Sequence, residues 1–130
     1  MIIITGKPLV PGEGEGYLIK SSVPLSFLGD IDPKTGIIKN RKSEIRGLSI
    51  SNKVLYIPYT IGSTVGAYVL YRLKKIGKCP LAIISKRGDL TLVSACVISK
   101  IPLVTNVKYE DLPPTGSYVK VDGISGSVIY

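Results

Sequence analysis

The segment from Val54 to Gly77 constrains the fold more than any other part of the sequence. It opens with an apolar, β-prone run that ends at Ile57, which predicts a buried strand. Pro58 then begins a turn, and beyond the turn apolar residues recur with the spacing of one helix face, at Val65, Val69, Leu73 and Ile76. The segment therefore predicts a strand, a turn and a helix in direct succession, with Gly77 as the helix stop.

Hydroxyl residues stand at the predicted start of this helix, in the run Gly62-Ser63-Thr64. Ser63 or Thr64 is expected at the N-cap, where the side chain accepts a hydrogen bond from an otherwise unpaired backbone N–H. Such a helix end also concentrates N–H donors and partial positive charge, so it can hold an anion or a developing oxyanion. The pattern leaves both interpretations open, ordinary capping and a functional hydroxyl.

The other elements are short. Residues 1–5, 17–19, 37–38, 48–50, 81–84, 102–104, 118–123 and 127–130 predict strands. Residues 8–16 predict a turn-rich bridge into a hairpin, and residues 22–36 a long polar loop. Asp89 predicts the cap of a second helix, whose apolar face is expected to comprise Leu90, Val93, Val97 and Ile98. Together these elements predict an α+β fold, a compact barrel-like or sandwich-like sheet core with two short flanking helices.

Length and charge narrow the classes of function. A chain of 130 residues predicts a single domain spanning residues 1–130. It carries 17 Lys and Arg against 9 Asp and Glu, a net charge of +8, which favours a phosphorylated metabolite, an acidic protein face or nucleic acid as partner. No nucleic-acid-binding motif appears, so we expect no nucleic-acid partner. We also expect a cytoplasmic protein without a membrane partner, because no long apolar run or signal peptide is present.

Several chemistries are excluded by residue type. The chain has no histidine, and Ile61 and Val65 occupy the glycine positions of a Gly-x-Ser-x-Gly motif around Ser63, so a serine hydrolase is excluded. Cys79 and Cys96 form no CxxC pair, so they predict buried apolar side chains and no metal site. If Ser63 acts as a base, positive charge from outside the chain must stabilise its alkoxide. The chain therefore supplies only part of an active site, and groups from outside it must activate Ser63.

Five motifs occur in order along the chain: 14–16 (Gly-Glu-Gly), 26–36 (Ser-Phe-x-Gly-x-Ile-Asp-Pro-x-Thr-Gly), 62–66 (Gly-Ser-Thr-x-Gly), 101–104 (Ile-Pro-Leu-Val) and 121–126 (Val-Asp-Gly-x-x-Gly). In this order and spacing the sequence resembles the small subunit of aconitase-X type dehydratases over nearly its whole length. It departs from the family pattern at Leu28 and Asp30, where Trp and Gly are usual, and lacks the histidine common in residues 41–47.

The resemblance implies a swivelling β/β/α domain docked on a large catalytic subunit, as a heterodimer or a higher assembly. It implies that no cofactor is bound by this chain alone and that the partner carries an iron–sulfur cluster acting on the leaving hydroxyl. The implied reaction is a hydro-lyase step of archaeal isoprenoid synthesis, dehydration of (R)-5-phosphomevalonate to trans-anhydromevalonate 5-phosphate. Ser63 is the implied proton acceptor. We further expect Gly62 and Thr64 to shape the turn and to contact the substrate, with Ser26 in the long loop as another candidate contact. Two alternatives remain, a related hydroxyproline-type dehydratase and a stand-alone basic binding module.

Overall fold

The computed structural model describes residues 1–130 and contains eight strands in one mixed sheet, with the order β1-β8-β7-β3-β4-β5-β6-β2. The strands are β1 (Ile3–Thr5), β2 (Lys7–Val10), β3 (Glu13–Lys20), β4 (Val54–Ile57), β5 (Ala82–Ser85), β6 (Leu103–Thr105), β7 (Tyr118–Asp122) and β8 (Ser127–Ile129). Strands β3 to β6 are mutually parallel, and the remaining pairs are antiparallel.

The sheet is barrel-like because two segments, β3 and the N-terminal segment with β1 and β2, each pair with two different strands. The first half of β3 pairs with β7, and its second half, from Leu18, pairs with β4. The two edge strands, β1 and β2, are separated in the chain by Gly6 alone, and they pair with β8 and β6. The first and last strands in the order, β1 and β2, therefore belong to one continuous N-terminal segment. The two edges of the sheet consequently lie next to each other. The predicted α+β class with a barrel-like sheet core is confirmed.

The strands separate two apolar cores because successive side chains point to opposite faces. Val54 and Tyr56 of β4 belong to a cluster enclosed by the strands, whereas Leu55 and Ile57 belong to a larger cluster beneath the helices. All four of these residues are buried, as expected for a central parallel strand covered on both faces. The Tyr56 hydroxyl donates to the Val107 carbonyl oxygen at 2.8 Å, so its polar atom is satisfied inside the core.

Three helices cover one face of the sheet: α1 (Phe27–Asp30), α2 (Ala67–Lys75) and α3 (Leu90–Ser99). The predicted helices α2 and α3 are confirmed, but α1 lies within the segment predicted as a loop, so the expectation of only two helices was wrong. α1 is a single turn capped by Ser26, too short to produce an apolar repeat in the sequence. None of the helices has the length and apolar character needed to cross a membrane.

The predicted inner face of α3 was wrong. Leu90, Val97 and Ile98 are exposed, and the buried residues are Thr91, Leu92, Ala95, Cys96 and Ser99. The helix is apolar on most sides, so periodicity could not distinguish its faces. Its packing against α2 and the sheet decides which side is buried. In α2 the predicted Val69 and Leu73 are buried, whereas Val65 and Ile76 lie at its ends and are exposed.

Several short predictions also differ from the structure. Residues 8–10 lie in β2 and residues 13–16 in β3, where a turn-rich bridge was predicted. Gly14 permits close packing rather than a turn, since a β-carbon there would overlap the Leu81 carbonyl oxygen. Residues 37–38 and 48–50 form isolated bridges instead of strands. In both segments an isoleucine is buried, Ile38 and Ile50 respectively, so the sequence signal reflected burial rather than regular pairing.

Candidate functional site

Ser63 caps the helical segment that contains α2. Residues Thr64–Gly66 form one 3-10 turn that leads directly into α2, and Ser63 has extended backbone angles before it. The Ser63 Oγ accepts a hydrogen bond from the Val65 N–H at 3.2 Å, and the residue is exposed. The predicted N-cap is thus confirmed, and the Ser63 hydroxyl lies at the amino end of a helical segment facing solvent.

Ser26 lies next to this turn although it is distant in the sequence. Gly62 has φ +88°, and a β-carbon added to it would lie 2.7 Å from the Ser26 Oγ. Ser26 itself caps α1, where its Oγ accepts from the Gly29 N–H at 3.3 Å. The structure therefore brings Ser26, Gly62, Ser63 and Thr64 together at one end of the helix layer. Thr64 is exposed as the first residue of the 3-10 turn.

Backbone contacts hold the two loops in this arrangement. Leu25 and Thr60 form a parallel bridge, and the Ile61 N–H donates to the Leu25 carbonyl oxygen at 3.1 Å. On the other side of Ser63, a β-carbon on Gly66 would lie 3.2 Å from the Phe27 β-carbon. The Ser63 loop is consequently fixed against the Ser26 loop before and after the hydroxyl.

Asp89 joins the Ser63 loop to α3. Its Oδ1 accepts from the Thr60 N–H at 2.8 Å, and its Oδ2 accepts from the Thr60 hydroxyl. The same Oδ2 accepts from the Leu92 N–H at 3.2 Å, which is the predicted cap of α3. The cap could be predicted because its partner is three residues away. The contact with Thr60 could not, because only the adjacency of β4 and β5 brings the two loops together.

The chain offers no ligand set for a metal ion or an iron–sulfur cluster. No three His, Cys, Asp or Glu side chains cluster at one place. Cys96 is buried in the helix-side core, and burial raises the pKa of its thiol. Cys79 is only half-buried, which corrects the expectation of full burial, and burial raises its pKa also. A cluster would require several accessible thiolates at one site, so these residues do not fit one.

Replacing Gly62 by alanine is expected to lower both stability and turnover. A positive φ costs a non-glycine residue roughly 1–2 kcal/mol, and the new methyl group also displaces the Ser26 hydroxyl. Gly47→Ala is the matched control, since Gly47 has φ +87° with nothing within 4 Å of the added carbon. Chemical denaturation should show a loss for both variants, and an assay of the complex proposed below should show a loss for Gly62→Ala alone. Equal activity of the two variants would contradict a role for the Ser26–Gly62 contact.

These features define a class of protein. A mixed sheet that curves around one core and is covered by helices over a second core has the layering of a swivelling β/β/α domain. The chain belongs to the aconitase X swivel domain family, whose sequence model matches residues 3–130. The family membership expected from the five motifs is confirmed.

The chain is similar to archaeal proteins over nearly its whole length. It is 46% identical to the phosphomevalonate dehydratase small subunit of Thermococcus kodakarensis, covering 96% of this chain and 93% of the relative. It is 42% identical to the protein of the same name from Methanosarcina acetivorans, covering 98% and 90%. The crystal structure of Thermococcus kodakaraensis aconitase X in its holo-form superposes with a TM-score of 0.95 at 45% identity, covering 99% of this chain and 98% of that chain.

Proposed function

We propose that this chain is the small subunit of a phosphomevalonate dehydratase, a hydro-lyase of two subunits. The observation that carries this function is the 42–46% identity to archaeal small subunits of that name across at least 90% of each chain. The proposed reaction converts (R)-5-phosphomevalonate to trans-anhydromevalonate 5-phosphate with loss of water, a step in the archaeal mevalonate pathway. In this proposal residues 1–130 act as one swivelling domain.

Ser63 is the proposed proton acceptor. In the dehydration, Ser63 acts as an alkoxide: its Oγ takes a proton from one carbon of the substrate and becomes a hydroxyl, and the adjacent carbon loses hydroxide. Two features of the structure support this role. Ser63 is exposed, and the hydrogen bond that its Oγ makes within the chain is one that it accepts, from the Val65 N–H, so no acceptor within the chain holds the hydroxyl proton that must leave to form the alkoxide. The N–H groups of the helical segment that follows stabilise negative charge on the oxygen.

A second subunit is needed to complete such a site. The chain has no histidine, and no carboxylate accepts a hydrogen bond from the Ser63 hydroxyl. Four apolar side chains in or near the turn that carries Ser63 are between 45% and 67% exposed: Leu28, Ile61, Val65 and Tyr68. A large subunit that covers them would bury apolar surface and exclude water from Ser63, which strengthens electrostatic effects there.

The iron–sulfur cluster of this proposal belongs to the large subunit, because Cys79 and Cys96 cannot hold it. The residues of this chain have the remaining tasks. Gly62 and Thr64 shape the turn that presents Ser63, and the Ser26 hydroxyl beside Gly62 is positioned to contact the substrate. The three hydroxyl residues and the glycine thus form the surface that this chain contributes.

The deciding experiment is reconstitution with a candidate large subunit from the same source. We expect the two chains to co-elute and the complex to dehydrate 5-phosphomevalonate in preference to 3-hydroxyproline. Preference for the hydroxyproline substrate would instead identify the related dehydratase. If the chains do not associate and this chain alone binds nucleic acid with a steep salt dependence, it is a basic binding module and the proposal is wrong.

A further inference from the structure

A cavity of about 580 Å³ opens beside the Ser26 loop and the Ser63 loop. Ile61, immediately before Gly62, forms one side of it, and Asp30 of α1 lies on another. The rest of its polar lining comes from four consecutive residues, Lys39-Asn40-Arg41-Lys42, which we call the cationic turn. Three positively charged residues therefore line a cavity that reaches Ile61, two residues before the proposed reactive Ser63.

The cationic turn is connected to the site by hydrogen bonds. The Asp30 Oδ2 accepts from the Ser26 N–H at 2.7 Å and from the Asn40 Nδ2 at 3.2 Å. The Asn40 Oδ1 in turn accepts from the Lys42 N–H at 2.8 Å, and the Lys39 N–H donates to the Asp30 carbonyl oxygen at 2.7 Å. Asp30 and Asn40 thus fix the cationic turn at a set position relative to Ser26.

The three cations of the turn are available to a ligand. Lys39, Arg41 and Lys42 are exposed, and the hydrogen bonds of the two lysines use backbone N–H groups rather than ammonium groups. Lys20 shows the contrast, because its Nζ is buried and donates to the Tyr109 and Leu112 carbonyl oxygens at 3.2 and 3.1 Å. The Asp30 carboxylate, the only acidic group lining the cavity, already accepts two hydrogen bonds through its Oδ2.

Other cavities of the chain lack this excess of positive charge. One is lined by Glu13, Glu15 and Lys120, and another balances Lys20 against Glu44. A third, beside Tyr56 of β4, sets Glu110 against Lys86 and Lys108, and a fourth sets Glu13 against Lys74 and Lys100. Among these cavities, the largest excess of positive charge thus lies in the one lined by the cationic turn and Ile61. A phosphate monoester carries about −1.5 to −2 charge at pH 7, which matches three cations beside one carboxylate.

We infer that the cationic turn binds the phosphate group of the substrate, with Arg41 able to donate two parallel hydrogen bonds and the two lysines supplying charge. This inference rests on the proposed function, which gives the substrate a phosphate at the end of its carbon chain. A phosphate held there directs the carbon chain past Ile61 toward the Gly62–Ser63 turn. The cationic turn then selects phosphorylated hydroxy acids over unphosphorylated ones.

The test compares two triple variants in the complex with the large subunit. Lys39→Gln, Arg41→Gln and Lys42→Gln together remove the cationic turn. Arg72→Gln, Lys74→Gln and Lys75→Gln remove the same residue types from the last turn of α2. That turn lies roughly 8–12 Å along the helix from its first residue, Ala67, at 1.5 Å per residue. The measurements are KM and kcat for 5-phosphomevalonate, turnover of mevalonate, and binding of inorganic phosphate by the wild-type and variant complexes.

We expect the cationic-turn variant to raise KM for 5-phosphomevalonate at least about tenfold and to lose most of the preference over mevalonate, with kcat less affected. The α2 variant should stay close to wild type. Equal KM and equal phosphate binding in the two variants would overturn the inference. So would loss of co-elution confined to the cationic-turn variant, which would assign the turn to an acidic face of the large subunit.

Failure of the proposed function can be distinguished from failure of this inference. If the wild-type complex does not dehydrate 5-phosphomevalonate, the function is wrong, and the phosphate titration still decides the site. Phosphate binding by the wild-type complex that is lost in the cationic-turn variant and retained in the α2 variant supports a phosphate site for another substrate. Phosphate binding that is absent from the wild type, or equal in all three proteins, overturns it.

Discussion

Ser63→Ala is expected to lower turnover of the reconstituted complex by about 10²- to 10⁴-fold, the range for loss of a positioned proton acceptor. Assembly with the large subunit should be unaffected, because the side chain is small, exposed and makes one hydrogen bond within the chain. The measurements are steady-state kcat on 5-phosphomevalonate and co-elution of the two subunits. Near wild-type turnover in an intact complex would remove Ser63 from the mechanism.

The same substitution also removes a helix cap, so capping needs a separate control. Asparagine is as good an N-cap as serine and has no hydroxyl, so Ser63→Asn keeps the cap and lacks the proposed acceptor. Ser63→Thr keeps both functions. If Ser63→Asn is as inactive as Ser63→Ala, the hydroxyl is required. If Ser63→Asn restores turnover, the contribution of Ser63 is structural and the proposed role is wrong.

Phe27→Ala is expected to produce the largest loss of stability, about 3–5 kcal/mol in the free energy of unfolding. Phe27 is the only phenylalanine in the chain and is 1% exposed. It lies in α1 within the helix-side core, and its β-carbon faces Gly66 at the start of the Ser63 segment. Alanine leaves a cavity at this position and weakens the packing of the two segments that carry Ser26 and Ser63. Chemical denaturation of the chain measures the change.

Leu28→Ala provides the matched control for this variant, since Leu28 is the next residue of α1 but is largely exposed. Its free energy of unfolding should change by no more than about 0.5 kcal/mol, as for most surface substitutions. A loss of less than about 1 kcal/mol for Phe27→Ala would mean that α1 is not an integral part of the core. Leu28→Ala also tests the interface with the large subunit. Weaker association of this variant would show that the exposed apolar side chains around Ser63 contact the large subunit.

The segment from β4 through α2 shows how far sequence reasoning extends. The predicted strand β4, the Ser63 cap and Gly77 at the helix stop all agree with the structure. Each of these signals depends on residues within about one helical turn of one another, which is the range of capping and periodicity. Gly77 has φ +73°, the backbone conformation that makes glycine the usual residue after a helix.

The inner face of α3 and the glycine run of β3 show where such reasoning fails. An almost wholly apolar helix such as α3 can bury either side, so Leu90 and Val97 were placed on the wrong face. The sequence pattern predicts Gly14 in a turn. In the structure position 14 requires glycine because it packs against the Leu81 backbone, which is distant in the sequence. In both cases the deciding partner belongs to another element, and its position depends on the whole topology.

The sequence by itself determined the strand-turn-helix unit, the placement of Ser63 at a helix start and the α+β class, because those depend on contacts between near neighbours. Only the tertiary structure decided that the Ser26 hydroxyl lies beside Gly62, that Asp89 binds Thr60 and that the cationic turn lines one cavity with Ile61. Parallel strands and their crossovers bring these residues together, and pairing across such separations depends on the packing of both cores at once.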